Sequence, residues 1–316
     1  MSPWVIEAIQ LNRSENHYQL DSATRSTLQA GLRVAACAVA VDDGVSCQRL
    51  RPALGSFVSI HCRATDLVTA ERALESAFAA IDTVAQRMHP TRDGSDLLAI
   101  RHTRAGHSLQ VHPWTWDVLE LSKRLNDLSD GCFDPCLPAA IGRISDVDLP
   151  APGLVVRRKS VSIDLGGIAK GYAVDRAIAA LQDGGCSEGD VNAGGDLRVF
   201  GPSEHTVWIR LRAGASPIAL RDHACAVSDP AGSSRPAEHR GYYRRANSGA
   251  TVPWHGARAA IVLASTAAVA DALTKCVLLD DGSMSPRGLE GLLREFNAAS
   301  IEFRDLGLRP ALGLTE

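Results

Sequence analysis

The sequence has few aromatic residues, little net charge and no long apolar run. Aromatic side chains make up 5% of its 316 residues, so stacking platforms for single-stranded nucleic acid are not expected. The formal net charge of -3 offers no basic surface to nucleic acid or to an anionic membrane. No segment approaches the roughly 18 apolar residues of a membrane-spanning helix. These absences exclude nucleic-acid-binding proteins and integral membrane proteins.

The cysteines form neither a C-x-x-C pair nor a pattern typical of a disulfide scaffold. Eight cysteines are spread along the chain, and a chain of this length has a core large enough to fold without cross-links. Cys132 and Cys136 stand four residues apart, but no neighbouring histidines or cysteines complete a zinc site. Buried, reduced thiols are therefore expected.

The N-terminal segment lacks the basic and apolar regions of a signal peptide. We therefore expect a cytoplasmic protein, or a periplasmic one if the start site is misassigned. Residues 1–48 show weak periodicity and are predicted to form an N-terminal extension, disordered or loosely packed. Residues 49–316 are predicted to form one folded domain.

Helical and strand periodicities are mixed along this domain without strict alternation, which predicts an α+β fold of mixed sheets flanked by helices. Apolar residues at helical spacing predict helices over 74–88, 113–128, 169–181 and 267–279. Thr266, preceded by Ser265, is expected to cap the last of these. Residues 229–257 are rich in Pro, Gly, Ser and Arg, which predicts a long surface loop.

The most informative segment is DLGGIAKGY, at 164–172. The pattern predicts a strand over 160–165, within a hairpin across 154–164, and then a glycine turn into a helix. Such a turn lets backbone N–H groups approach an anion, which a helix N-terminus also attracts. Lys170 opposes the helix dipole, and a bound pyrophosphate would offset that cost. A tight connection with a solvated lysine is the other interpretation.

Two more polar clusters accompany this turn: Asn192 with Asp196 after a second glycine turn, and Asp271 with Lys275 on the helix over 267–279. Asp271 and Lys275 are four residues apart, which is typical of an exposed helical ion pair. The same pair is also compatible with a carboxylate that binds Mg²⁺ and a lysine that meets a phosphate. The residues alone therefore indicate an anionic, phosphate-bearing ligand, with or without a metal.

Taken in order, six segments resemble the ApbE family of FAD:protein FMN transferases. They are RPALGSFVSI, MHPTRDGSDLLAI, GCFDPCLPAAIG, SIDLGGIAKGYAVDRA, VNAGGDLRVFG and VADALTKCVLLD, between residues 51 and 280. The resemblance implies an ApbE-like flavin transferase fold and a substrate, FAD, whose FMN half is transferred with Mg²⁺ to a threonine or serine hydroxyl of an acceptor flavoprotein. AMP is the other product that it implies.

The resemblance also implies roles for individual residues. Met88, Cys136 and Leu137 would contact the flavin nucleotide. Asp164 and Lys170 would also lie at the FAD. The backbone carbonyl of Gly167 and the carboxylate of Asp271 would bind the metal, and Asp271 and Lys275 would take part in the reaction.

Two positions depart from the family pattern. Many relatives have a threonine metal ligand where this chain has Lys275, and an ammonium has only donors, so it cannot coordinate a cation. The lysine in DALTK resembles that of a subset of the family, and it would supply positive charge directly to the pyrophosphate and partly replace the metal. Relatives also carry an H-x-x-D-P segment whose histidine is a candidate general base, whereas residues 240–249 read RGYYRRANSG. Two other functions therefore stay open: hydrolysis of FAD to FMN and AMP, and flavin binding or carriage without catalysis.

Overall fold

The computed structural model describes residues 37–41, 44–137, 140–211, 214–229, 258–280, 288–304 and 307–308. Six helices lie within these ranges: α1 (Leu67–Arg87), α2 (Asp96–His102), α3 (Pro113–Leu128), α4 (Ala169–Asp183), α5 (Ala267–Leu279) and α6 (Gly288–Glu295). The bounds of α3 and α5 are those that the sequence predicts. Among the described residues, no helix is both long and apolar enough to cross a bilayer.

Fourteen strands lie in the same described ranges. They are β1 (Cys37–Val41), β2 (Gly44–Ala53), β3 (Ser56–Ala64), β4 (Ser108–Gln110), β5 (Val147–Ala151), β6 (Leu154–Arg157), β7 (Glu188–Ala193), β8 (Asp196–Phe200), β9 (His205–Leu211), β10 (Gly214–Leu220), β11 (Ala224–Ser228), β12 (Arg258–Ala264), β13 (Ala299–Arg304) and β14 (Gly307–Leu308). Nine of them form one sheet in the order β1-β2-β3-β7-β8-β11-β12-β13-β14. Helices against several sheets confirm the predicted α+β class.

The two faces of the large sheet are covered differently. One face packs against α1, α4 and α5 in the main core, to which Val58, Ile60 and Cys62 of β3 contribute. The hairpin of β9 and β10 packs on the other face through a smaller apolar cluster that includes Val199 and Ile209. Because strand side chains alternate between faces, residues between those core positions lie on the side away from the helices.

The sheet begins before residue 49. Strand β2 starts at Gly44 and pairs antiparallel with β3, and β1 pairs with β2. The domain therefore includes part of the segment that the sequence assigns to an extension. Residues 1–36 lie outside the described residues, and an extension there stays a prediction.

The strand predicted over 160–165 is wrong, and the hairpin lies earlier, between β5 and β6. The alternation is real, since Val161, Ile163 and Leu165 are all buried. However, the N–H of Asp164 donates to the carbonyl of Pro135 at 2.9 Å, and the N–H of Ser162 donates to the carbonyl of Ile141 at 3.0 Å. The segment thus buries one face without a strand partner.

Candidate functional site

The glycine turn at 164–167 leads into α4 through hydrogen bonds within the turn. The N–H of Gly166 donates to Asp164 Oδ1 at 2.9 Å, and the N–H of Ala169 donates to the Leu165 carbonyl at 2.7 Å. Asp164 therefore holds the turn in shape. Gly167 comes next to Lys275: a Cβ added to this glycine would lie 3.5 Å from Lys275 Cε.

Lys170 in the first turn of α4 pairs with Asp196, the first residue of β8. Its ammonium contacts Asp196 Oδ2, and the two side chains are 24% and 2% exposed. The carboxylate therefore compensates the unfavourable position of a cation at a helix N-terminus. The interpretation of Lys170 as a merely solvated lysine is wrong.

Asp271 and Lys275 form a buried pair on α5. The ammonium of Lys275 contacts Asp271 Oδ1 and donates to the carbonyl of Asp271 at 2.9 Å and to Thr274 Oγ1 at 3.1 Å. Asp271 is 0% exposed and Lys275 is 8% exposed. The interpretation as a surface ion pair is wrong, because every residue of α5 is buried.

The three sequence clusters thus meet in one group of charges, which we call the charge cluster: Lys170, Asp196, Asp271 and Lys275. Burial raises the pKa of Asp196, the charge of Asp271 adds to this, and both lysines oppose it. Burial acts in the same direction on Asp271, but Lys275, Lys170 and a hydrogen bond from Gly171 lower its pKa overall. The lysines therefore favour the charged form of Asp271, whereas at Asp196 burial and the charge of Asp271 outweigh them.

Helices α4 and α5 cross closely, and N–H groups in the first turn of each helix donate hydrogen bonds to an aspartate of the other helix. Asp175 of α4 accepts from the N–H groups of Ala267 and Ala268, each at 2.9 Å. Asp271 of α5 accepts from the N–H of Gly171 at 3.3 Å. The crossing requires glycine at 171, since a Cβ there would lie 2.1 Å from a backbone oxygen of α5.

A pocket opens beside the charge cluster. It lies between the segment 132–137, the turn at 164–167 and α5, and its lining includes Phe133, Leu137, Asp164, Gly167 and Lys275. The structure therefore brings together four residues that the sequence predicts for the site. The fifth, Phe133, has no polar atom in its side chain that sequence reasoning could single out.

Two predicted flavin contacts lie outside this lining. Cys136 is 0% exposed behind the pocket wall, and burial raises the pKa of its thiol. Met88 ends α1, is 5% exposed and packs in the main core. The structure places neither side chain at the described pocket surface.

The donors near Asp271 do not fit Mg²⁺ as they are arranged. Oδ1 of Asp271 contacts an ammonium, its Oδ2 accepts from Gly171, and the carboxylate of Asp196 contacts Lys170. In the described part of the chain, no group of three His, Cys, Asp or Glu side chains could hold a metal ion. Each carboxylate of the cluster already faces a cation, so a metal would have to displace Lys275.

Sequence reasoning named Asp196 in a polar cluster without giving it a role in the site, and it left Asp175 out. Asp196 follows the turn of Gly194 and Gly195, whose φ angles of 66° and 106° favour glycine. That turn is a usable signal, because it places an acid at the start of a strand. Asp175 had no such signal, since its partners lie 92 and 93 residues away.

Part of the chain predicted to matter for the acceptor lies outside the described residues. The surface loop predicted over 229–257 falls there from residue 230 onward, and so does the segment without an H-x-x-D-P match. These predictions stay as they are.

Comparison with known proteins finds relatives of this chain. A protein from Rhodobacter capsulatus named FAD:protein FMN transferase is 31% identical over 131 residues, which cover 33% of this chain. The same match covers only 25% of that relative's length.

Two solved structures share the fold. The apo flavinyl transferase ApbE of Pseudomonas stutzeri is similar with a TM-score of 0.70 and 18% identity, over 86% of this chain and 92% of that one. The ApbE protein of Thermotoga maritima gives a TM-score of 0.68 and 20% identity, over 87% and 96%. The model of the ApbE family matches residues 54–146 and 140–290, most of the chain. This match confirms the resemblance seen in the sequence motifs, and the chain belongs to the ApbE family.

Proposed function

We propose that this chain is an FAD:protein FMN transferase, which moves the FMN half of FAD to a threonine or serine hydroxyl of an acceptor protein and releases AMP. The observation that carries the proposal is the charge cluster, in which two lysines and two buried aspartates meet beside a pocket. The activity named for the Rhodobacter capsulatus relative supports it.

The cluster suits a pyrophosphate because its lysines are held at fixed positions. Lys275 lines the pocket and is anchored by Asp271 and Thr274, while Lys170 is anchored by Asp196. Fixed cations stabilise the charge that develops on phosphoryl oxygens without a cost of reorganisation. In this proposal, the two lysines bind the pyrophosphate and favour departure of AMP.

The apolar side of the pocket suits the rest of the nucleotide. Phe133 and Leu137 are 5% and 6% exposed and line the pocket together with Asp164 and Lys275. A pocket with apolar walls and a few convergent polar groups is typical of small-molecule sites. We propose that this wall contacts the nucleotide, with Cys136 and Met88 supporting it from behind.

Binding of Mg²⁺ at this site depends on the position of Lys275. The family resemblance implies a metal at Asp271 and at the Gly167 carbonyl, where it would neutralise phosphate charge. The carboxylate of Asp271 is already paired with Lys275. We therefore assign the charge compensation to the chain's own lysines and propose that Mg²⁺ binds Asp271 only when Lys275 moves aside.

The test is to incubate purified protein with FAD and a candidate acceptor flavoprotein, then assay AMP and acceptor-bound flavin fluorescence after denaturation. We expect AMP and covalent fluorescence in equal amounts. AMP without labelling would indicate hydrolysis of FAD to FMN, and unchanged FAD would indicate a flavin-binding or carrier protein. Either result would overturn the transferase proposal for that acceptor, and a second acceptor with a different threonine or serine site would repeat the test.

A further inference from the structure

The face of the sheet away from the helices carries a polar group unrelated to the charge cluster. Val58, Ile60 and Cys62 of β3 point into the main core. His61, between them in sequence, therefore points to the opposite face. The same alternation in β2 and β7 places Ser46 and Asp190 on that face, since Cys47 next to Ser46 and both neighbours of Asp190 are buried.

Three polar side chains on three neighbouring strands contact one another in a row. Ser46 Oγ lies 2.9 Å from His61 Nε2, and His61 Nδ1 lies 3.2 Å from Asp190 Oδ1. His61 and Asp190 are direct partners in the register of β3 and β7. The strand ladders therefore hold the imidazole between the hydroxyl and the carboxylate.

The chemistry of the partners assigns the protons. A charged carboxylate only accepts, so Asp190 takes a hydrogen bond from the Nδ1–H of His61. In the neutral imidazole this leaves Nε2 as the acceptor for the hydroxyl proton of Ser46. A hydroxyl bonded to a base that a carboxylate orients is the arrangement of an activated serine nucleophile.

The surroundings allow access and supply a cation. The side chains of His61 and Asp190 are 14% and 27% exposed, and Ser46 is only partly buried. Arg63 is the register partner of Ser46 across the β2–β3 pair. Its guanidinium, 32% exposed and 3.3 Å from Glu188 Oε1, lies on the same face. A developing oxyanion at Ser46 would thus form near a positive charge.

We propose that Ser46 is a second nucleophilic centre of this protein, which accepts acyl groups from activated carboxylic esters. The Oγ–H proton of Ser46 passes to His61 Nε2 while Oγ bonds to the carbonyl carbon, and His61 gives that proton to the oxygen of the departing alcohol or phenol as its C–O bond breaks. Water then attacks the acyl-serine, His61 accepts a proton from this water, and it returns the proton to Ser46 Oγ as the carboxylic acid is released. Asp190 orients His61 throughout.

The expected rate is modest because β2 lies inside the sheet. Its backbone N–H groups serve the ladders to β1 and β3 and form no oxyanion hole. General-base assistance alone contributes about 100-fold or somewhat more. We therefore expect slow turnover of p-nitrophenyl acetate and slow stoichiometric labelling by a fluorophosphonate probe.

The matched control is Ser59, on the same face of the neighbouring strand. Its hydroxyl accepts from Gln48 Nε2 at 3.1 Å and has a carboxamide partner instead of an imidazole. Peptide mapping of the fully folded wild-type protein should find the fluorophosphonate on Ser46 and not on Ser59. Ser59→Ala should keep the labelling rate.

Substitutions of the three side chains complete the test. Ser46→Ala and His61→Gln should lower labelling and ester hydrolysis about 100-fold, and Asp190→Asn should lower both to a lesser degree. FMN transfer and thermal unfolding, measured on the same variants, should stay at the wild-type level. Wild-type peptides labelled equally at both serines, or not at all, would overturn the proposal even if a variant failed to fold. Labelling of Ser46 that survives His61→Gln would overturn it as well, because the hydrogen bonds would then be only structural.

Discussion

At the scale of single residues, the position of Lys275 is the main chemical feature of the site. Its ammonium contacts a carboxylate that is fully buried, and it accounts for part of the lowered pKa of Asp271. Removing one partner of a buried ion pair costs about 3–5 kcal/mol, because the other charge stays uncompensated. Lys170 lies near enough to lower the pKa of Asp271 as well. The carboxylate therefore keeps one cation when Lys275 is lost.

Substitution of Lys275 tests whether this lysine stands where a metal would act. In Lys275→Thr, the carboxylate of Asp271 becomes free to bind Mg²⁺ and the hydroxyl adds an oxygen ligand. We expect AMP release to become at least about tenfold more sensitive to chelation by EDTA than in the wild-type protein, equivalent to ~1.4 kcal/mol.

The control for this prediction is Lys159→Thr. Lys159 is 76% exposed and its Nζ lies 3.4 Å from Asp146 Oδ1 in a surface pair, so the metal dependence should not change. Titration with Mn²⁺ followed by its paramagnetic resonance gives a readout independent of turnover. Equal chelator sensitivity in Lys275→Thr and wild type would contradict the role assigned to Lys275.

At the scale of elements, the crossing of α4 and α5 organises the site. Each helix supplies an aspartate to the first turn of the other. The two carboxylates accept hydrogen bonds from N–H groups that have no partner within their own helix, and they place negative charge at the positive end of each helix dipole. Thr266 occupies the N-cap position of α5 with extended backbone, but its side chain makes no capping hydrogen bond. Asp175 replaces it, and also pairs with Arg198 of β8 at 2.8 Å.

Substitutions of Asp175 and of Thr266 should therefore differ in their effect on the free energy of unfolding. Asp175→Asn removes the charge of a side chain that accepts hydrogen bonds from two N–H groups and forms an ion pair with Arg198. The free energy of unfolding should therefore fall by about 1–3 kcal/mol. Thr266→Ala removes a side chain without a capping bond and should change it by less than about 0.5 kcal/mol. Urea unfolding of both variants measures the two values.

The pH dependence of Asp175→Asn gives a second check. Burial raises the pKa of Asp175 above its ordinary 3.8, although Arg198 and the two N–H groups oppose this. A raised folded-state pKa contributes stability that is complete below pH 3.8 and is lost as the pH rises through the folded value. Since asparagine does not titrate, the stability advantage of wild type over Asp175→Asn should shrink with rising pH. An advantage that grows over this range would contradict the assignment.

At the scale of the whole molecule, the large sheet separates two chemically distinct faces. Its helix-covered face holds the charge cluster. Distant parts of the sequence meet there, since Asp271 of the cluster accepts a hydrogen bond from Gly171, which lies 100 positions earlier. Its other face holds the chain of Ser46, His61 and Asp190 and the apolar patch under β9 and β10. The two groups cannot contact each other through the packed sheet, so their substitutions should have independent effects.

Binding of FAD at the charge cluster should stabilise the entire fold. A ligand at about 100 times its dissociation constant raises the free energy of unfolding by about 2.7 kcal/mol when only the native state binds it. We expect FAD to raise the thermal midpoint of the wild-type protein and of Lys159→Met. In Lys170→Met, the shift relative to its own ligand-free form should be much smaller, as measured by scanning calorimetry. An equal shift in all three proteins would place the FAD elsewhere.

Much of the architecture follows from local pattern. Apolar spacing together with start signals predicts α3 and α5 to the residue: α3 begins with Pro113, and Ser265 and Thr266 precede α5. The strand over 160–165 fails for a physical reason: alternation reports burial of one face, whereas a strand also needs a partner for its backbone. The loop carbonyl of Pro135 satisfies Asp164 instead.

The sequence by itself determined the α+β class, four of the six described helices and the residue types of an anion site, because periodicity and glycine turns act over a few residues. It also carried the motifs of the ApbE family. Only the tertiary structure decided that Lys170 meets Asp196, that Asp271 and Lys275 are buried, and that Asp175 caps α5. Ion pairing and capping depend on which distant segments pack together. A local pattern shows that a charge is present, but the fold selects its partner and removes the water around it.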